Sequence, residues 1–144
     1  MVDQPGNPVP MCDWEEVSAM SGARRLLKCL TEGACCHLAT NSATSTRKQV
    51  HKALLRVGLE RYISNIYCYR ETGLKKPSRE FFDFIIRDLA VNKADVVMIG
   101  DELEKDIFGA LDSGIQAIWY NPGNLPAPGH ILTVTDLSDL LKVL

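Results

Sequence analysis

VVMIGDELEKD, residues 96–106, decides the fold of this 144-residue chain. Its first five residues, apolar or small, read as a buried parallel strand. They end in Gly100-Asp101, and a second acid, Asp106, stands five positions on. A carboxylate at the C-terminal end of a parallel strand sits where open α/β sheets place their ligands. Two acids in one short loop there suit a hard, oxygen-seeking cation such as Mg²⁺.

The same alternation extends in both directions. Upstream, ARRLLKCLTEG reads as a helix opened by Ser21-Gly22 and stopped at Gly33. ACCHLAT, residues 34–40, reads as a strand. Next comes a helix capped by Ser45 or Thr46 and stopped at Gly58, with Val50, Ala53, Leu54 and Val57 at helical spacing. NIYCYR, residues 65–70, is a second strand. Ser78 caps REFFDFIIRDLAV, with Phe81, Phe82, Ile85 and Leu89 facing inward. Downstream, EKDIFGALDSG is a short helix ending at Gly114, IQAIWY and ILTV are strands, and DLSDLLKVL closes the chain. Strand–helix alternation of this kind implies a doubly wound, Rossmann-like parallel sheet with helices on both faces. Residues 1–144 read as one domain with an irregular segment at residues 1–20, where Pro5, Gly6, Asn7, Pro8 and Pro10 break regular structure.

The bulk numbers agree. At 46% apolar content, 144 residues bury a full core without disulfides or metal staples. A net charge of −2 gives no electrostatic case for nucleic acid or an anionic membrane. No apolar run is long enough to span a bilayer, and the N-terminus has no signal-peptide pattern. The chain has five cysteines, an odd number, with no C-x-x-C spacing, which points to reduced thiols in the cytoplasm. Cys35-Cys36-His37 cannot chelate together on a strand, where neighbours point to opposite faces; Cys35 and Cys36 read as core thiols. His51 and His130 read as surface residues, and Trp119, Tyr120 and Phe81 as core.

Three strand ends carry polar groups. Thr40-Asn41 closes the first strand, Lys76 stands in the turn after the second, and Asp101 and Asp106 come after the third. In a parallel sheet these edges share one side. A hydroxyl with nearby backbone N–H groups, an ammonium and an acid pair are the parts needed to grip a phosphoryl group. Each has a plainer reading. Asp101 and Asp106 could cap the next helix, Thr40-Asn41 could be an ordinary turn, and Lys75 and Lys76 a solvated pair.

LATNSA, GLKKPSREFF and MIGDELEKDIFGALDSGIQAIWYN together resemble the second, third and fourth motifs of the haloacid dehalogenase superfamily. The resemblance covers about residues 20–144. It implies that family's doubly wound core, here without a separate cap domain. It implies Mg²⁺-dependent hydrolysis of a small phosphomonoester. Thr40, helped by the backbone of Asn41, would bind the phosphoryl group, Lys76 would neutralise its charge, Asp101 would bind Mg²⁺, and Asp106 would be a second or water-mediated ligand.

The family's first motif, D-x-D-G-T, supplies an aspartate nucleophile and a general acid/base, and it is absent from this sequence. Val2-Asp3-Gln4 resembles the residues just after that motif, so the expectation is a chain that begins just past its own nucleophile, inactive as written. Asp13, in CDWE, is the rival nucleophile. The span from Asp13 to Thr40 is tight for a helix of about 12 residues, a strand of about 6 and their turns. A missing central strand would leave sheet edges open, to be filled by a second copy or another chain, or else to lower stability. Two other functions stay open: a non-catalytic binding module on the same sheet, and phosphomutase or dehalogenase chemistry on the same fold.

Overall fold

Helix starts fall where short hydroxyl side chains stand. In the computed structural model, which describes residues 8–144, Thr46 and Gln49 form a reciprocal cap: the Gln49 amide donates to Thr46 Oγ1 and the Thr46 amide to Gln49 Oε1, at 3.4 and 2.9 Å. Ser78 Oγ accepts from the Phe81 amide in the same way. The stretch Val2-Asp3-Gln4 lies outside the described residues.

The chain divides into two compact units, one ending at Gly73 and the other running Leu74–Leu144. The first holds α1 (Ala23–Leu30), β1 (His37–Thr40), α2 (Arg47–Arg56), β2 (Asn65–Cys68) and α3 (Tyr69–Thr72). Strands β1 and β2 pair in parallel, His37 opposite Asn65 and Thr40 opposite Cys68. Their core is Val50, Leu54, Leu59 and Ile66, with Leu27, Leu38 and Ile63 packed against it. Burial of each large apolar side chain there contributes about 1.5–3 kcal/mol.

Residues 12–15 are fastened to α2 by polar contacts. Arg56 Nη1 donates to the carbonyls of Cys12 and Trp14, and Nη2 to that of Glu15. Lys52 pairs with Asp13 at 3.1 Å.

The second unit holds α4 (Arg79–Leu89), β3 (Val97–Gly100), a π-helical turn (Leu103–Phe108) that runs into α5 (Gly109–Asp112), β4 (Gln116–Tyr120), β5 (Leu132–Val134) and α6 (Leu140–Val143). Its sheet is parallel in the order β3-β4-β5. Register places Met98, Gly100, Ala117 and Trp119 on one face. Phe82, Ile86, Ala110 and Ile115 pack against Met98 and Ala117, and Ile107, Trp119 and Ile131 form a second cluster.

The class is α/β with parallel pairing, as the strand–helix alternation implies, but the elements differ from expectation in detail. Among the described residues pairing runs in two sheets, because β1 pairs with β2 and β3 with β4, and no described segment before α1 is a strand. With one strand partner among the described residues, β3 is not the fully buried strand its composition suggests. Val97 is 36% exposed, and Met98 and Ile99 are half-buried. Cys35 lies outside β1 and is exposed, which corrects its reading as a core thiol. Tyr69 and Arg70 open a helical turn that Gly73 ends at φ +68°, so β2 stops at Cys68. On α4 Phe81 and Phe82 are buried as expected and Ile86 joins them, while Ile85 and Leu89 are half-buried. Trp119 and Phe81 are core as expected, while Tyr120 is half-buried. Among the described residues no helix is long and apolar enough to cross a membrane.

His37 begins β1 with a buried Nδ1 that has no hydrogen-bond partner among the described residues. Burial holds its pKa below the ordinary histidine value. The unfolded chain therefore takes up this proton first. Stability from the neutral ring is complete above about pH 6.5 and is lost as pH falls below it. Thermal melts between about pH 7.5 and 5.5 should show a larger loss of Tm in the wild type than in His37→Phe. Parallel profiles would show that the ring does not titrate with folding.

Candidate functional site

Each sheet presents a C-terminal rim. In the first unit β1 ends at Thr40, whose Oγ1 accepts from the Ser42 amide at 3.1 Å. Ser42 Oγ accepts from the Ser45 amide, and both serines are buried. This hydroxyl-lined turn leads into the capped start of α2. Asp13 belongs to the same unit, where its carboxylate pairs with Lys52 and faces solvent. That pairing holds its pKa below the usual carboxylate range.

The second unit assembles the rest. Lys76 precedes Pro77 across a cis peptide bond, and α4 starts at Arg79, two residues after the proline. Its Nζ lies 2.5 Å from Asp106 Oδ1, and the pair is buried, with Lys76 9% and Asp106 3% exposed. The other Asp106 oxygen, Oδ2, accepts from the Glu102 amide at 3.1 Å. Gly100 makes this possible. A methyl group built there would collide with the Asp106 side chain. Gly109 plays a related part, because a Cβ there would stand 2.8 Å from Pro77 and 3.0 Å from Phe82.

Asp101 directly follows β3 and is exposed. Its carbonyl accepts from Trp119 Nε1 at 2.9 Å. Its carboxylate makes no hydrogen bond or ion pair among the described residues. Thus Lys76 and Asp106 meet directly, and Asp106 is bonded to the peptide that carries Asp101. Thr40, Asn41 and Asp13 belong to the first unit.

This geometry sorts the two acids. Asp106 has both oxygens engaged, one by an ammonium and one by an amide. Asp101 presents to solvent a hard oxygen pair that no described residue hydrogen-bonds. Among the described residues no three His, Cys, Asp or Glu side chains form a metal-holding group. Mg²⁺ does not need one, because it commonly binds through one or two carboxylates plus water and phosphate oxygens. The residues present fit that mode. Composition marked Trp119 as core, which it is, and concealed its role as a donor. The signal is that a buried indole must spend its single N–H on some acceptor.

Comparison with known proteins identifies the chain's relatives. The family model described as haloacid dehalogenase-like hydrolase matches residues 11–120. A pyrimidine 5'-nucleotidase of Escherichia coli is 30% identical over 134 residues, which are 90% of this chain and 58% of that protein. A ribulose-1,5-bisphosphate 5-phosphatase of Halopiger xanaduensis is 32% identical over 126 residues, 83% of this chain and 52% of that one. The chain therefore spans about half the length of the curated relatives it matches. A hydrolase of the same type from Bacillus subtilis, solved with magnesium bound, superimposes with a TM-score of 0.77 at 25% identity. The match covers 86% of this chain and 55% of that structure.

Proposed function

The chain belongs to the haloacid dehalogenase-like hydrolases, and from that premise we propose that it carries the phosphate-gripping and cation-binding part of a Mg²⁺-dependent phosphomonoester phosphatase. The observation that carries this reading is the buried Lys76–Asp106 pair, joined through the Glu102 amide to the exposed Asp101. Its substrate is a small phosphorylated molecule, in keeping with the nucleotidase and sugar-phosphate phosphatase among its relatives.

Each residue has a role that its chemistry supports. Lys76 offers an ammonium to a phosphoryl oxygen, aimed by Asp106. In the first unit, the Thr40 hydroxyl and the backbone at Asn41 are hydrogen-bond donors suited to a phosphoryl oxygen. Asp101 holds Mg²⁺, and Asp106 reaches it through water. Mg²⁺, when bound, supplies charge neutralisation at the phosphoryl oxygens. The nucleophile of D-x-D-G-T is not among these residues, so the chain on its own binds Mg²⁺ and phosphate weakly and turns over little.

Two measurements test this. Calorimetric titration with Mg²⁺ should show saturable binding that Asp101→Asn abolishes. Binding of equal strength in that variant would remove Asp101 from the site. In an assay with a generic phosphomonoester, turnover should stay close to background with and without Mg²⁺. Robust turnover lost in Asp13→Asn would instead make Asp13 the nucleophile.

A further inference from the structure

The peptide linking Asp101 to Glu102 is held from both sides. Its carbonyl accepts from Trp119 Nε1 at 2.9 Å, and its N–H donates to Asp106 Oδ2 at 3.1 Å. A peptide unit is planar and nearly rigid. Two hydrogen bonds on its opposite edges therefore fix its rotation about the line joining its Cα atoms. The Asp101 Cα is one end of that line, and the β3–β4 ladder holds the residue before it, so fixing the plane restricts the direction from which the Asp101 side chain leaves the backbone.

The two tethers differ in kind. Asp106 is in turn occupied by Lys76. Trp119 is 4% exposed and sits on β4, with its backbone opposite Gly100 in the parallel ladder. A buried indole N–H left unpaired is costly. Here it is spent on the carbonyl of the residue whose carboxylate faces solvent.

We infer that Trp119 is a positioning residue for the cation site, its indole fixing the direction in which Asp101 presents its carboxylate. The inference rests on the reading of Asp101 as the Mg²⁺ ligand. Trp119 does not touch the cation. It limits the backbone rotation that would otherwise let the carboxylate swing, so the ion does not have to order the loop as it binds. Partners one step removed from a metal commonly alter its affinity by about 10- to 100-fold.

The chain contains two tryptophans, and the second supplies a control. Trp14 Nε1 donates to the Val9 carbonyl in the first unit. In ¹H–¹⁵N spectra of the full chain titrated with Mg²⁺, the Trp119 indole peak should move along the same saturation curve as the Asp101 and Glu102 amides. The Trp14 indole should stay still. Replacing Trp119 with 3-benzothienylalanine keeps the ring shape and removes the donor. That variant should bind Mg²⁺ about tenfold more weakly by calorimetry, with Tm little changed, while Trp119→Phe should show the same loss of affinity with some loss of Tm.

Wild-type affinity in the benzothienyl variant would overturn the inference and leave the reading of Asp101 standing. A still Trp119 indole beside a saturating Asp101 amide would do the same. If no amide near Asp101 responds to Mg²⁺, both the reading and the inference built on it fall.

Discussion

Lys76→Met should lower folding stability by about 3–5 kcal/mol, read from urea denaturation, the usual cost of leaving one member of a buried ion pair without the other. The residues concerned are 9% and 3% exposed, so solvent cannot take the place of the lost ammonium. The Glu102 amide still donates to Asp106 Oδ2, but one neutral donor does not balance a desolvated carboxylate. The double variant Lys76→Met with Asp106→Leu removes the stranded charge and should recover part of the loss. The coupling between the two sites should fall within about 0.5–3 kcal/mol. Single variants within about 1 kcal/mol of the wild type would show that the pair is solvated in the working protein. The same substitution should also weaken phosphate binding, because the point charge proposed to meet the phosphoryl group is gone.

Gly100→Ala should be comparably damaging through a different cause. The new methyl group would occupy the place of Asp106 Cβ, Cγ and Oδ2. Either β3 shifts against β4 or Asp106 leaves Lys76. Overpacking alone costs about 1–3 kcal/mol, and displacing Asp106 adds the loss of its pairing. Mg²⁺ binding should disappear together with the stability, because the Asp101 peptide loses the Asp106 tether. Gly129→Ala is a fair control, since nothing lies within 4 Å of a Cβ there. It should stay within about 0.5 kcal/mol of the wild type. A Gly100→Ala protein with wild-type denaturation and Mg²⁺ titration curves would refute the crowding argument.

Local chemistry was the legible part of the sequence. Thr46 and Ser78 mark helix starts because a hydroxyl beside open amides has one good geometry. The segment at residues 96–106 declares a strand, a turn and a helix through composition alone. Strand ends were harder to place. Cys35, Cys36, Tyr69 and Arg70 all suit a strand by type, yet β1 starts at His37 and β2 stops at Cys68. Pairing partners decide where a ladder ends, and they are distant in sequence. The division of labour between the two acids was hidden for the same reason. Spacing brings Asp101 and Asp106 to one loop. Only the folded chain shows that Asp106 turns to a lysine 30 positions away while Asp101 faces outward. Trp119 illustrates a further limit, because hydropathy registers the ring and not the direction of its one donor.

The fastening of residues 12–15 bears on which exchanges this chain tolerates. A single guanidinium serves three carbonyls, those of Cys12, Trp14 and Glu15, from a side chain on α2. Its flat, forked array of donors reaches them together. A primary amine carries the same charge on one small, strongly hydrated atom and has no second arm. Arginine and lysine, commonly treated as synonyms, therefore mean different things at position 56. The first buckles the segment down; the second would only decorate the helix beneath it.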